Sequence, residues 1–231
     1  CDGSARQVVA MLRAEASDAG VVIRTGHRIV AIEKRDRFEI ATDHGAFSAG
    51  SLVLATGGLS IPKMGATGFA HDVARRFGLA VTGTRPGLVP FTLPVPHLAG
   101  VSLDVETRLG AARFREALLF THRGLSGPAV LQVSSYWHPG QAVLVDLLPE
   151  VDAAAWLKDA KRARPRAELR SVLADRLPQR LAQHLAEDVG GVGPMADRRD
   201  RDLEALAQRL KAWSVVPTGT EGYAKAEVTV G

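Results

Sequence analysis

The sequence predicts a layered α/β protein interrupted by an inserted β-rich region and a helical segment. Three observations carry this prediction. Up to about Arg85, helix-period stretches alternate with strand-like ones; after Pro86, prolines and short alternating runs take over; from Asp152 to Trp213 the apolar spacing is nearly all helical, before β patterns return. A layered domain interrupted by an insertion is the simplest architecture with that order.

The elements follow in turn. Between Ser4 and Ala19, apolar residues at Ala5, Val8, Val9, Leu12, Ala16 and Ala19 predict a helix with one buried stripe, capped by Asp2 or Ser4 and ended by Gly20. VVIRTGHRIVAIEK, RFEIATDHG and AFSAGSLVLATGG, broken at Gly26, Arg35-Asp36 and His44-Gly45, read as hairpin-connected strands leading into a buried one. Leu52 to Ala55 shows no polar alternation and is expected to be a strand covered on both faces. Gly68 to Phe77, with Phe69, Val73 and Phe77 on one stripe, predicts a helix.

Beyond Pro86, runs such as VSLDVETRL predict a compact antiparallel unit or barrel. SGPAVLQVSSYW opens a short helix with Ser126 as cap and Pro128 in its first turn, followed by the strand AVLVDLLP. The helical segment is broken at Pro165, Pro178 and GGVGP at 190–194, and SVVPTG and AKAEVTVG return to β. Expected boundaries are therefore 1–86, 87–151, 152–213 and 214–231. Trp156 and Trp213 are expected to pack the helical segment's core, and Trp137 to anchor the short helix.

Composition narrows the function classes. With 231 residues, 46% hydrophobic and 23% charged, the chain is an ordinary globular sequence. Its apolar runs are too short for a bilayer, so a cytoplasmic protein without a membrane partner is expected. The single cysteine, Cys1, excludes an intrachain disulfide and a redox-active cysteine pair, and no histidine pair has metal-ligand spacing, so no metal is expected. The net charge of +4 resides between Lys158 and Lys211, where thirteen basic residues face nine acidic ones. Such mixed signs read as a solvated helical surface and argue against a nucleic-acid partner.

Two stretches carry candidate chemistry. The expected strand runs straight into Thr56-Gly57-Gly58, where layered α/β proteins place ligands and where glycine lets backbone N–H groups approach a phosphate or a ring edge. A tight turn needing two glycines explains the pair as well. FTHRGLSGP collects Thr121, His122, Arg123 and Ser126, with His122 able to move a proton and Arg123 able to hold an anion beside a helix N-terminus. The plainer reading is that Ser126 only caps a helix and His122 satisfies backbone. Pro128, two residues past Ser126, rules out a nucleophile elbow.

LVLATGGLSIPKMGATGFAHDVARRFG, RPGLVPFTL and LLFTHRGLSGPAVLQVSSYW together resemble the HI0933-like family of FAD-dependent oxidoreductases, whose members include NAD(P)/FAD-dependent, aminoacetone oxidase-like and bile-acid-reductase-like proteins. The resemblance runs over almost the whole chain. It implies part of a Rossmann-like FAD-binding domain, with a barrel-like β region and a helical subdomain inserted. By the same resemblance Ala55, Thr56, Gly57 and Gly58 lie against FAD and Ile29 gives the adenine a backbone contact. It also implies hydride transfer between flavin and a small organic substrate or NAD(P)H; if the FTHRGLSGP turn faces the flavin, its His122 and Arg123 are the catalytic candidates.

No GxGxxG follows a strand here, so the family's pyrophosphate fingerprint is expected before Cys1 and its flavin-capping segment after Gly231, making this a central fragment. Two alternatives stand beside this reading: an RNA-binding flavoprotein of the tRNA-modification type, docking RNA on the basic helical insert, and a scaffold without catalysis. The residues name neither the substrate nor an oligomeric state.

Overall fold

The computed structural model describes residues 3–190 and 193–231, in two compact units that divide after Ala55. In the first, Ser4 caps helix α1 (Ala5–Asp18), its Oγ accepting from the Arg6 N–H at 3.2 Å. The alternative cap, Asp2, lies outside the described residues. Strands β1 (Ile29–Lys34), β2 (Phe38–Thr42) and β3 (Gly45–Ala49) form an antiparallel meander, with Ile32 opposite Ile40 and Ile40 opposite Phe47. Ile32 is buried, but α1 buries no residue, and Val8, Val9, Leu12 and Val21 to Ile23 are exposed. The expected apolar stripe is thus present and uncovered: three short strands offer too little surface to bury it within this unit.

The expected buried strand at Leu52 to Ala55 is absent. Residues 51–58 join no ladder, and Val53 is 84% exposed. Apolar residues become a strand only where a neighbouring strand supplies hydrogen bonds, and none among the described residues does so here.

The second unit begins with the loop at Thr56 and helix α2 (Phe69–Arg76), which buries Val73. Strands β4 (Arg85–Gly87), β5 (Phe91–Thr92), β6 (Ser102–Leu109), β7 (Ala112–Phe120) and β8 (Gly124–Ser126) follow, then helix α3 (Pro128–Ser134) and strand β9 (Val143–Asp146). Helices α4 (Ala153–Ala163), α5 (Leu169–Leu173), α6 (Gln179–Asp188) and α7 (Asp200–Lys211) precede β10 (Trp213–Val215), β11 (Gly219–Thr220) and β12 (Val228–Val230). Ser126 does not cap α3: it pairs with Leu119 in the β7–β8 ladder, and the capping position falls to Gly127.

Among the described residues the main sheet is antiparallel with order β10-β9-β6-β7-β8-β5-β11, and β4 pairs with β12 separately. Laid flat, seven strands would hold the two edges about 29 Å apart. Yet those edges, β10 and β11, are joined by residues 216–218 alone, a link that spans at most about 15 Å. The sheet must therefore roll up. It does not close into the expected barrel, because no ladder joins β10 to β11. Pro217 lies in the gap without an N–H to donate, and Thr218 turns its N–H to Thr92 O at 2.9 Å instead.

Helix α3 packs on β6, β7 and β8, where buried Thr107 donates its hydroxyl to Ala129 O at 3.1 Å. Asp152 caps α4 through Oδ1, which accepts from Ala155 N–H at 3.0 Å. Helix α4 lies on α7 and α5 on α6, and their apolar faces, including Leu157, Leu181 and Leu210, belong to the same core as Val105, Phe120 and Val145 of the sheet. Trp213 stacks on Phe120 with ring centroids 5.9 Å apart, and Trp156 lies under the Arg176 guanidinium at 5.6 Å. Trp137, edge-on to Phe91, donates its indole N–H to Gln141 O. Among the described residues no helix is long and apolar enough to cross a membrane.

Candidate functional site

Gly57 has φ +78°, a left-handed backbone that favours glycine, and a side chain added there would meet nothing within 4 Å. Gly58 is different. A Cβ on it would fall 2.5 Å from Thr229 Oγ1 and 2.7 Å from Thr229 Cβ. The same hydroxyl accepts from Leu59 N–H at 2.8 Å and lies 3.1 Å from Ser60 Oγ. The backbone at Gly58 thus leaves room for Thr229 of β12, a partner within the chain.

The loop then passes Ile61, whose φ of 57° is rare for a β-branched residue, and Ile61 N–H donates to Tyr223 O at 2.9 Å. Tyr223 Oη is buried without a hydrogen-bond partner among the described residues, as is Arg85 Nη1 at the start of β4. Two residues before Tyr223, Glu221 sends Oε2 to within 3.4 Å of Arg123 Nη1, with its side chain only 9% exposed against 63% for the arginine.

His122 and Arg123 occupy the tight β7–β8 turn rather than the start of a helix. Thr121 N–H donates to Gly124 O at 2.7 Å, while Thr121 Oγ1 accepts from the backbone N–H groups of Arg123 and Gly124 at 3.2 and 3.1 Å. Both side chains are exposed. Segment 221–229 consequently joins two places that the sequence flags separately, touching the Gly58–Ile61 loop at Thr229 and Tyr223 and the turn at Glu221. Glu221, Tyr223 and Thr229 escape sequence reading, because EGYAKAEVTVG carries no motif and acquires meaning only by lying beside residues about a hundred or more positions away. Of the other predicted residues, Ile29 opens β1 opposite Thr42, and it and Ala55 belong to the first unit. Ala55, Thr56 and Gly57 are exposed.

The helical segment presents positive charge. Lys158 pairs with Glu204, Lys161 with Asp200, Arg162 with Asp159, Arg164 with Asp175, Arg170 with Glu168 and Arg209 with Asp188. The Lys161 ammonium, hydrogen-bonded to the carboxylate, holds Asp200 below the usual carboxylate range, and the Glu204 carboxylate raises Lys158. Arg166 and Arg199 are exposed and have no carboxylate partner among the described residues. Arg180 spends its donors on the carbonyls of His97 and Ala99.

These features define a mixed α/β protein in which a rolled antiparallel sheet shares one core with a helical segment, with a loop, a turn and a returning strand gathered at a polar site. The chain belongs to the HI0933-like family: residues 85–228 match the family model described as HI0933-like protein barrel and H2TH domain. It is 45% identical over 242 residues to a ribosomal RNA dihydrouridine synthase of Escherichia coli, covering 100% of this chain and 60% of the relative. It is 36% identical over 243 residues to a protein of the same name from Haemophilus influenzae, covering 100% of this chain and 61% of that one. The chain thus spans about 60% of the length of the curated relatives it matches.

These names overturn the expectation that nucleic acid is not a partner, since both relatives are named for a reaction on ribosomal RNA. Counting signs along the helices misleads for a physical reason. Most carboxylates there are consumed in local pairs, which leaves the excess charge on particular guanidinium groups instead of cancelling it everywhere.

Proposed function

We propose that this chain is part of a flavin-dependent enzyme that reduces uridine in RNA to dihydrouridine, with NAD(P)H as the source of electrons. The observation that carries the reading is the identity of 45% across the whole chain to a protein named for that reaction. It favours the RNA-modifying alternative over a small organic substrate, and ribosomal RNA over tRNA. In this reading 1–86 contribute to a Rossmann-like FAD-binding domain, 87–151 and 152–213 form the insertion, and 214–231 return to the inserted sheet and the FAD-binding domain.

Saturating the uracil C5=C6 bond places a hydride on C6, the carbon conjugated to the C4 carbonyl, and a proton on C5. Reduced flavin, when bound, supplies the hydride. The residues present suit such a group: Gly57 is open around its backbone, and the orphaned hydroxyl of Tyr223 is a buried donor beside the same loop. Ala55, Thr56, Gly57 and Gly58 would line the flavin, with Ile29 offering backbone to the adenine. His122 would deliver the proton to C5. Arg123, steadied by Glu221, would hold a phosphate next to the target nucleotide.

The test uses the full-length protein, FAD, NAD(P)H and ribosomal RNA transcribed without modifications. Mass spectrometry of nucleosides should show uridine gaining two hydrogens. RNA that stays unmodified while NAD(P)H oxidation proceeds with a small organic acceptor would overturn the reading.

A further inference from the structure

Resting on the RNA reading, we propose that the junction between the end of α4 and the start of α7 is a docking surface for the phosphate backbone of RNA, centred on Arg166, Arg198 and Arg199. The backbone brings these residues together. Met195 N–H donates to Ala167 O at 2.8 Å and Ala196 N–H to Pro165 O at 2.9 Å, so the turn carrying Arg166 is bound directly to the segment leading into Arg198 and Arg199. Arg198 is fixed in place: Nη2 donates to Gly190 O at 2.9 Å and Nη1 to Val189 O at 3.3 Å, at the C-terminal end of α6. Lys161 is anchored alongside, its ammonium on Arg198 O and 2.8 Å from Asp200 Oδ1.

Arg166 and Arg199, exposed and without a carboxylate partner among the described residues, add two more forks of N–H donors suited to phosphodiester oxygens. Of the acids nearby, Asp200 is engaged by Lys161, Asp159 by Arg162, Asp175 by Arg164 and Asp202 by Arg201. Asp197 is exposed and subtracts from the patch. The exposed neighbours Ala163, Pro165 and Ala196 are small, so the surface offers no apolar anchor of the kind a protein partner needs. It would position RNA without reading bases, leaving the choice of uridine to other elements.

The test compares full-length wild type, Arg166→Gln/Arg199→Gln, Arg166→Lys/Arg199→Lys and Arg209→Gln, whose guanidinium is already paired with Asp188. Binding of a fluorescent ribosomal RNA fragment is measured by anisotropy across a KCl series. The double glutamine variant should lower the slope of log affinity against log salt by about 1.4 to 1.8, the loss of two phosphate contacts, and the lysine variant should restore most of it. Arg209→Gln should keep the wild-type slope. Equal slopes for wild type and the double glutamine variant, while wild type still binds and modifies RNA, would overturn this surface alone. An equal drop for Arg209→Gln would reduce it to unspecific charge and overturn it too. Wild type that neither binds nor modifies the RNA would overturn the functional reading together with the surface. Displacement of RNA by polyglutamate at equal charge concentration would reassign the surface to an acidic protein.

Discussion

Lys211 holds its ammonium 2.7 Å from Asp146, a carboxylate only 2% exposed, and so ties the last turn of α7 to strand β9. The other Asp146 oxygen accepts from Leu148 N–H at 2.9 Å, Arg108 approaches within 3.6 Å, and Lys211 also donates to Leu148 O and Pro149 O. One buried acid therefore organises the joint between helices and sheet. Asp146→Ala is expected to destabilise the protein by about 3–5 kcal/mol, because it strands the Lys211 ammonium against a joint built for an anion, while Arg108 keeps Glu106 as its partner. The urea midpoint of the full-length protein measures this.

Gly58 tests whether the glycine serves its own fold. Gly58→Ala should cost about 1–3 kcal/mol through the collision with Thr229, and adding Thr229→Gly should recover part of that loss. Unfolding of the cofactor-free protein separates this from flavin binding. A single variant with wild-type stability but reduced flavin content would assign the glycine to the cofactor instead.

His122→Asn and Arg123→Gln should each slow uridine reduction by about tenfold or more, worth roughly 1.4 kcal/mol in barrier, in protein that retains its flavin. Glu221→Gln should act in the same direction as Arg123→Gln but more weakly, since it removes the partner that steadies the arginine and not the arginine itself. Single-turnover rates with ribosomal RNA provide the measurement.

Acid should loosen the helical segment through Asp200. Its carboxyl is held below the usual carboxylate range by Lys161, so the pair's contribution is present above the ordinary value and is lost as pH falls through the depressed one. Glu150, depressed by Arg115, acts in the same sense. Asp200→Asn/Glu150→Gln should flatten the fall in melting temperature at the acid end of a pH series while leaving the basic limb unchanged.

The sequence makes α2 and the helical segment of α4 to α7 legible, because it carries apolar residues at helical spacing and proline or glycine near the helix ends. It makes the antiparallel character of β6 and β7 legible for the same kind of reason, a period of two across a short turn. Ladders to distant partners are less visible. Leu52 to Ala55 has a strand's composition without a neighbour to pair with, and the roll of the sheet depends on where β10 and β11 meet the remaining strands. The His122-Arg123 turn could be located from sequence but its setting could not. Ser126, read as a cap, is held in a ladder by Leu119, and the acid beside Arg123 arrives from ninety-eight positions downstream.

The three-residue tie between β10 and β11 also bears on aggregation. An open sheet has two rims of unpaired N–H and C=O groups, each a template for a strand from another molecule. Here residues 216–218 hold the two rims within about 15 Å of each other at the tie, where Pro217 offers an incoming chain no donor. Lengthening that tie with a flexible insertion would let the rims separate, and the protein would then lose solubility before it lost secondary structure.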